Sequence, residues 1–262
     1  MPRVTIITVT FNAAATVEET LLSVFQQKFT DYEYWVVDGN SNDGTQEVVS
    51  QYTSRINFIS EPDNGIYDAM NKGIAKAKGE WIYFLNAGDT LYNDEVLSAI
   101  FNATIPKETE LIYGNIRTKN HPSGSNYFQG SEVHLESFFY RVGLCHQATF
   151  TKLSAFEEIG VYAGAEYRIL ADQEWFVRFF LARKKAHYMN TTIAYYEIVG
   201  ESYNKRVQSY EEHLKLVKKH FNYWVNFQNV IRSPWMKLKI KILQNFSNSP
   251  IYKLYRQFFF NN

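Results

Sequence analysis

Cysteine is almost missing from this chain: Cys145 is the sole one in 262 residues. An intrachain disulfide is therefore impossible, and a cysteine-based zinc site lacks its ligands. A reducing, cytosolic compartment is the expectation that follows. No stretch of 18 or more apolar residues occurs, so no transmembrane helix is expected. The start, Met-Pro-Arg-Val-Thr-Ile-Ile, has no signal-peptide layout. Neither a Gly-x-x-x-x-Gly-Lys-Ser/Thr loop nor a Gly-x-Gly-x-x-Gly fingerprint is present, which disfavours a P-loop NTPase and the usual dinucleotide-binding domain. Internal repeats and low-complexity tracts are missing too. So is net charge, with 27 basic against 27 acidic residues, which argues against a protein that coats nucleic acid.

What is present is apolar and aromatic. Hydrophobic residues make up 45% of the chain, enough for a packed core and against general disorder. The zero charge is also a sum of unlike parts. Residues 1–100 carry 6 basic and 14 acidic side chains, residues 101–200 carry 10 of each, and residues 201–262 carry 11 and 3. Such asymmetry points to different partners at the two ends.

Strand and helix signals alternate over the first hundred residues. The β-branched run Val4–Thr10 suits a strand buried on both faces. Thr16-Val17-Glu18-Glu19 has the form of a capping box opening a helix to about Lys28. Tyr34–Asp38, Ile56–Ser60 and Trp81–Leu85 are further strands. Helices are expected over Thr45–Thr53, Ile66–Lys78 with Gly79 as its stop, and Asp94–Phe101. This alternation implies α/β class with a mostly parallel, doubly wound sheet. Farther on, strands are expected at Leu111–Thr118, Ser125–Gln129 and Ile193–Glu197, and a helix at Ala171–Arg183. From Val207 onward the chain reads as helical, with a soft boundary near residue 200.

In an open parallel sheet, ligands bind beyond the carboxyl ends of the strands. All four early strands end in polar or turn-forming clusters: Thr10-Phe11-Asn12, Asp38 through Gly44, Glu61 through Gly65, and Asn86-Ala87-Gly88-Asp89. Loops are commonly polar, but four on one edge point to a site. Phe11 and Asn12 suit a flat base, and stacking of that kind is worth about 1–3 kcal/mol per base in nucleic-acid complexes; the alternative is Phe11 as core. Asp38 can accept a hydrogen bond from a base imide, or serve as an Asx-turn or helix-cap acceptor. Asp89 lies in a small-residue turn that admits a diphosphate with a hard cation, Mg2+ or Mn2+; its alternative is the N-cap of the next helix.

The runs "VTIITVTFN", "VVDGNSNDGT" and "EPDNGIYDAMNKGIAKAKGEWIYFLNAGD" follow one another over residues 3–89. Together they resemble the GT-A-fold glycosyltransferases of family 2, in the branch that builds bacterial exopolysaccharide, capsule or O-antigen, including colanic-acid-type transferases. The resemblance implies a GT-A domain over residues 1–200, with a nucleotide-binding half (1–100), an acceptor-binding half (101–200) and a basic, aromatic helical tail (201–262). It implies Thr10, Phe11 and Asn12 at the base and ribose, and Asp38 reading the base. The segment with Asp63, Asp68, Asn71 and Lys72 would flank the nucleotide. Asn86, Ala87, Gly88 and Asp89 would stand in place of Asp-x-Asp, with Asp89 as the metal carboxylate. Two departures stand out: Asn86 replaces the first acid, and Met70 occupies a position where many relatives carry Arg.

An inverting transferase needs a general base for the acceptor hydroxyl. In this family that base is an acid opening a mid-chain helix, here Ala171-Asp172-Gln173-Glu174. Asp172 is the implied base and Glu174 the reserve; the alternative is an acidic helix N-terminus interacting with the dipole, worth about 0.3–1 kcal/mol. His146-Gln147 resembles a pair found before a strand in this branch. His146 would bind phosphate or metal, shape the acceptor pocket, or be structural.

The expected activity is transfer of a sugar from a nucleoside diphosphate, UDP foremost, to a glycan or lipid-linked acceptor. The rivals are a nucleotidyltransferase and a non-catalytic nucleotide-sugar-binding subunit. Residues 232–262 hold six Lys/Arg, no acid and many interleaved aromatics. That composition suits peripheral attachment to the inner face of the membrane, or packing on the domain or a second subunit of a homodimer. No nucleic-acid motif accompanies the charge.

Overall fold

The computed structural model describes residues 1–119, 132–139, 143–197 and 205–221. The expected strand Ser125–Gln129 and the basic tail at 232–262 lie outside the described residues. The chain divides into two compact units, Met1–Ile198 and Val199–Asn262.

The described strands of the first unit form one mixed sheet in the order β3-β2-β1-β4-β7-β6-β8-β5. β1 (Val4–Thr10) is central and every one of its residues is buried. Two of its three hydroxyls are satisfied sideways: Thr8 Oγ1 lies 2.8 Å from the Tyr34 hydroxyl, and Thr5 Oγ1 donates to Glu33. β2 (Tyr32–Asp38) and β4 (Trp81–Phe84) pair parallel with β1 on either side, and β3 (Asn57–Ser60) pairs parallel with β2. The helices α1 (Val17–Phe25), α2 (Thr45–Ser50) and α3 (Ile66–Lys76) supply the crossovers. α1 buries Val17, Leu21 and Val24, one stripe at helical spacing.

The chain leaves the β3 edge and re-enters at β4, on the other side of β1. That reversal opens a crevice at the carboxyl ends. A two-residue β5 (Thr90–Leu91), α4 (Val96–Phe101) and the long β6 (Thr109–Lys119) follow, then α5 (Leu135–Phe139). β7 (Thr149–Lys152) runs antiparallel between β4 and β6, in register Tyr83↔Phe150. This register sets the beginning of β7, and the 3-10 turn His146–Ala148 before it, beside the carboxyl end of β4. α6 (Leu153–Ile159), α7 (Ala171–Leu181) and β8 (Lys185–Glu197) complete the unit; β8 pairs parallel with β6 and antiparallel with β5.

The second unit contains α8 (Arg206–His220), whose last turn carries Lys218, Lys219 and His220, favourable to the helix dipole. Among the described residues, no helix is long and apolar enough to cross a membrane.

Several local expectations change. Thr16 is the N-cap of α1, but its hydroxyl turns back 3.5 Å from the Ala13 carbonyl instead of capping forward. The first three helices end two or three residues early. α3 stops where Ala77 turns extended, so Gly79 is not its stop. Gly79 is needed for a different reason: a Cβ there would lie 2.4 Å from the Thr5 amide nitrogen and 2.6 Å from the Val4 carbonyl carbon. Its bare backbone lets the chain graze β1.

Candidate active site

β1 and β2 end side by side, with Thr10 opposite Asp38. Asp38 is fully buried, and its carboxylate accepts from Ser41 N (2.9 Å), Ser41 Oγ and Ser60 Oγ (2.6 Å). Both of its oxygens are committed to the loop it begins. Asn12 adopts a left-handed backbone (φ 50°), a conformation Asn tolerates well. Its amide nitrogen donates to Ser41 Oγ (2.8 Å), and its side-chain oxygen accepts from Asn42 N (3.1 Å). Asp43 completes the stitching by accepting from Ala14 N (3.0 Å) and Thr45 N (3.0 Å). The Thr45 hydroxyl, the strongest influence, holds the Asp43 carboxyl below its usual value. The loops after β1 and β2 are thus one hydrogen-bonded unit.

Phe11 stands out from that unit, 63% exposed, so it is not core. A Cβ on Gly39 would lie 2.4 Å from Asp63 Oδ2 and 3.2 Å from Phe11 Cδ2. The ring, the bare glycine and the carboxylate therefore meet in one narrow place. Asp63 Oδ1 accepts from Gly65 N (2.8 Å), which fixes the carboxylate. Asp68 accepts from Asn64 N (2.9 Å), and Lys72 Nζ donates to the Pro62 carbonyl (2.6 Å) while pairing with Glu61 (3.1 Å). Asn71 instead clasps the backbone of Tyr162 with both its amide groups (2.9 and 3.0 Å). Met70 is wholly buried and brings no cation to this edge.

The loop after β4 turns tightly. Gly88 has φ 95°, open to glycine without strain, and Thr20 bridges its N–H (3.0 Å) to the Asp89 carbonyl (2.7 Å). Asp89 is 5% exposed and precedes β5; the N-cap of α4 is Glu95. Gln147 Nε2 donates to Asp89 Oδ2 at 2.9 Å. Two buried polar atoms on this edge, Thr10 Oγ1 and Asn86 Oδ1, have no hydrogen-bond partner among the described residues. Such atoms are costly unless something completes them.

Asp172 opens α7 and is 6% exposed. Its Oδ1 accepts from Gln173 N (2.7 Å) and lies 2.9 Å from the Tyr67 hydroxyl, whose one proton is shared with the Ile169 carbonyl (2.7 Å); its Oδ2 lies 3.0 Å from His146 Nδ1 and 3.1 Å from Gln173 Nε2. Burial first, and Asp172 second, push the Tyr67 hydroxyl well above its ordinary value, so it donates and stays neutral. Glu174 is fully buried and pairs with Arg178 Nε (2.9 Å). Arg178 also donates to the carbonyls of Ile159 (2.6 Å) and Val161 (2.8 Å), so Glu174 belongs to a structural ion pair. Desolvation, then Asp89, hold the Cys145 thiol up, which makes it no nucleophile.

The glycosyl transferase family 2 model matches residues 5–164. A PGL/p-HBAD biosynthesis glycosyltransferase of Mycobacterium bovis (strain BCG / Pasteur 1173P2) is 30% identical over 243 residues, covering 90% of this chain and 92% of that protein. The chain belongs to glycosyltransferase family 2. Two solved structures share the fold. S. aureus TarS 1–349 in complex with UDP-GlcNAc superposes with TM-score 0.66 at 17% identity, over 94% of this chain and 73% of TarS. The mannosyltransferase PcManGT from Pyrobaculum calidifontis, in complex with GDP-Man and Mn2+, gives 0.68 at 16% identity, over 98% and 83%.

In this family 2 transferase, sequence reasoning passed over Tyr67, Gln147 and Gln173. Tyr67 sits inside the "GIYDAM" run and Gln147 inside "HQ", so both were in view without a partner to give them work.

Proposed function

We propose that the transferase is an inverting enzyme moving a sugar from a nucleoside diphosphate to a glycan or lipid-linked hydroxyl, with Asp172 as general base and Asp89 as metal carboxylate. One observation carries this reading: adjacent residues of a single turn, His146 and Gln147, each contact one of those two carboxylates. One turn therefore links the two carboxylates, which supports their serving one reaction.

The nucleotide would occupy the edge formed by Thr10, Phe11, Gly39 and Asp63, its base lying against the exposed ring. Asp38 and Asn12 would shape that edge from within. The residues present fit a divalent cation: a Mg2+ or Mn2+ shared with a diphosphate needs only one or two carboxylates. Asp89 provides one, and the unpartnered Asn86 oxygen is available to a ribose hydroxyl or the cation. When bound, such a cation neutralises charge developing on the leaving diphosphate. Asp172 takes the acceptor's proton as its oxygen attacks the anomeric carbon, the carbon–diphosphate bond breaks, and configuration inverts. The acceptor hydroxyl must displace one of the four donors now on Asp172. Gln173 Nε2, at 3.1 Å the longest of these contacts, is the natural one to yield.

The same reading makes residues 1–100 the donor half, 101–200 the acceptor half and 201–262 a basic tail. It assigns the enzyme to bacterial surface-glycan assembly, the colanic-acid-type branch included, at the cytoplasmic face of the membrane. Co-sedimentation with anionic vesicles, with and without residues 232–262, tests the tail; equal partition of two folded proteins refutes it. Thermal-shift screening against UDP-, GDP- and dTDP-sugars with Mn2+ tests the activity class. A ligand at 100 times its dissociation constant adds about 2.7 kcal/mol, and no stabilisation by any of them overturns the donor reading.

A further inference from the structure

His146 lies between two groups that the reaction would use. Its Nδ1 is 3.0 Å from Asp172 Oδ2, and its Nε2 is 3.0 Å from Asn86 Nδ2. We infer that His146 is a positioning residue that fixes the Asp172 carboxylate and ties it to the loop after β4. The inference rests on the reading of Asp172 as base.

The directions of the two bonds are set by chemistry. An ionised carboxylate has no hydrogen to give, so Nδ1 carries the proton. In the neutral ring Nε2 then accepts, and Asn86 turns its NH2 toward it. The Asn86 oxygen is then the atom of that amide left without a partner. Both ring nitrogens thus have a protein partner, Asp172 on one side and Asn86 on the other. The side chains of His146 and Asp172 are 12% and 9% exposed, so water competes little for their bond.

A purely structural role is also poorly supported. The turn is held without the imidazole, by Ala148 N to the Cys145 carbonyl (2.9 Å), the Thr149 hydroxyl to the His146 carbonyl (2.9 Å) and the Tyr83 hydroxyl to the Gln147 carbonyl (2.9 Å). What the ring adds is a link between elements that carry opposite sides of the reaction: α7 with Asp172, and the β4 loop with Asn86. Transfer needs reacting atoms about 3–3.5 Å apart, and a 1 Å misplacement costs up to about 100-fold.

The test has two arms. In the full-length protein with 15N-labelled histidine, the His146 signal, identified by its loss in the His146→Asn variant, should show a protonated Nδ1 at pH 7.5. A bare Nδ1 with the proton on Nε2 overturns the inference, whatever the substrate. In the second arm, hydrolysis is followed for the UDP-, GDP- or dTDP-sugar that stabilises the protein most. His146→Ala should lower kcat about 10–100-fold with the donor KM nearly unchanged. His146→Asn, which keeps an amide N–H near the Nδ1 position, should recover most of that loss. An unchanged kcat, a raised KM at constant kcat, or an Asn variant no better than Ala overturns it. A wild type that hydrolyses none of these donors sinks the donor reading instead, and the tautomer alone then decides the His146–Asp172 bond.

Discussion

Gln147 Nε2 and Asp89 Oδ2 are 2.9 Å apart, although 58 residues separate them in the chain. The contact exists because β7 runs antiparallel to β4 and brings the turn before it against the loop after β4. Asp89 is 5% exposed, so this donor keeps a nearly buried carboxylate satisfied in one orientation. Replacing Gln147→Leu leaves Asp89 short of a partner, a loss of about 1–3 kcal/mol. Affinity for UDP should fall about 10-fold in the presence of Mn2+ and much less in its absence. Calorimetric titration of UDP with and without Mn2+ checks this. An equal loss in both titrations would show that Gln147 does not act through a metal held by Asp89.

Two glycines should behave in opposite ways. At Gly79 an added methyl meets the backbone of β1, which cannot yield without disturbing the central strand. Gly79→Ala should cost at least about 1–3 kcal/mol, seen as a lower urea midpoint at constant m. At Gly39 the nearest atoms belong to the side chains of Asp63 and Phe11, so relief costs at most the Asp63–Gly65 hydrogen bond and a turn of an exposed ring, with no backbone in the way. Gly39→Ala should melt close to the wild type and still bind UDP several-fold more weakly, because the methyl enters the place proposed for the base. Undiminished UDP affinity would remove that slot from the nucleotide site.

The front of the fold was legible because its strands announce themselves. Val4–Thr10 and Tyr34–Asp38 are unbroken apolar or β-branched runs that end in polar clusters, and the parallel sheet follows from their alternation with helices. β7 was not legible from its own residues, since "TFTK" has four residues and no distinctive pattern; the His146-Gln147 pair pointed to a strand after it, but not to its partners or register. Without β7, nothing brings His146 near Asn86 or Gln147 near Asp89. Motif resemblance nominated Asp89, Asp172 and His146 separately; only the antiparallel register joins them. The same limit applies to Asn71. Its place in the "DAMNKG" run pointed toward the nucleotide, while the fold uses its amide to hold Tyr162. Asp38 was open to two readings from sequence, and the loop-forming one describes the bonds it makes.

Asp43 offers a pH test of the stitched loops. The Thr45 hydroxyl and the Ala14 and Thr45 amides favour its charged form, so its pKa in the fold lies below that of an ordinary aspartate. A carboxyl depressed on folding stabilises the protein fully above the unfolded value and loses that contribution as pH falls through the folded one. Asp43→Asn should therefore melt below the wild type at pH 6, with the gap closing toward pH 2. Melting temperatures across that range decide it, and a gap constant with pH would mean that the charge of Asp43 contributes nothing.

The most direct test of the reaction is Asp172→Asn. The substitution is nearly isosteric, and the surroundings can adapt to it: the Gln173 Nε2 contact (3.1 Å) is given up while that amide keeps its bond to the Leu144 carbonyl (2.7 Å), and the His146 contact reverses. With an amide N–H facing Nδ1, the His146 ring takes the other tautomer and Asn86 turns its oxygen toward Nε2. Oδ1 of the new side chain still accepts from Tyr67. Folding should therefore survive, and UDP affinity with Mn2+ should stay within a few-fold, while the proposed base is gone. General-base catalysis contributes about 100- to 10,000-fold, so turnover of the stabilising sugar nucleotide should fall by that factor. Turnover at the wild-type rate would exclude Asp172 as the base. Glu174, buried against Arg178, would not be the substitute, and the search would move to acids outside α7.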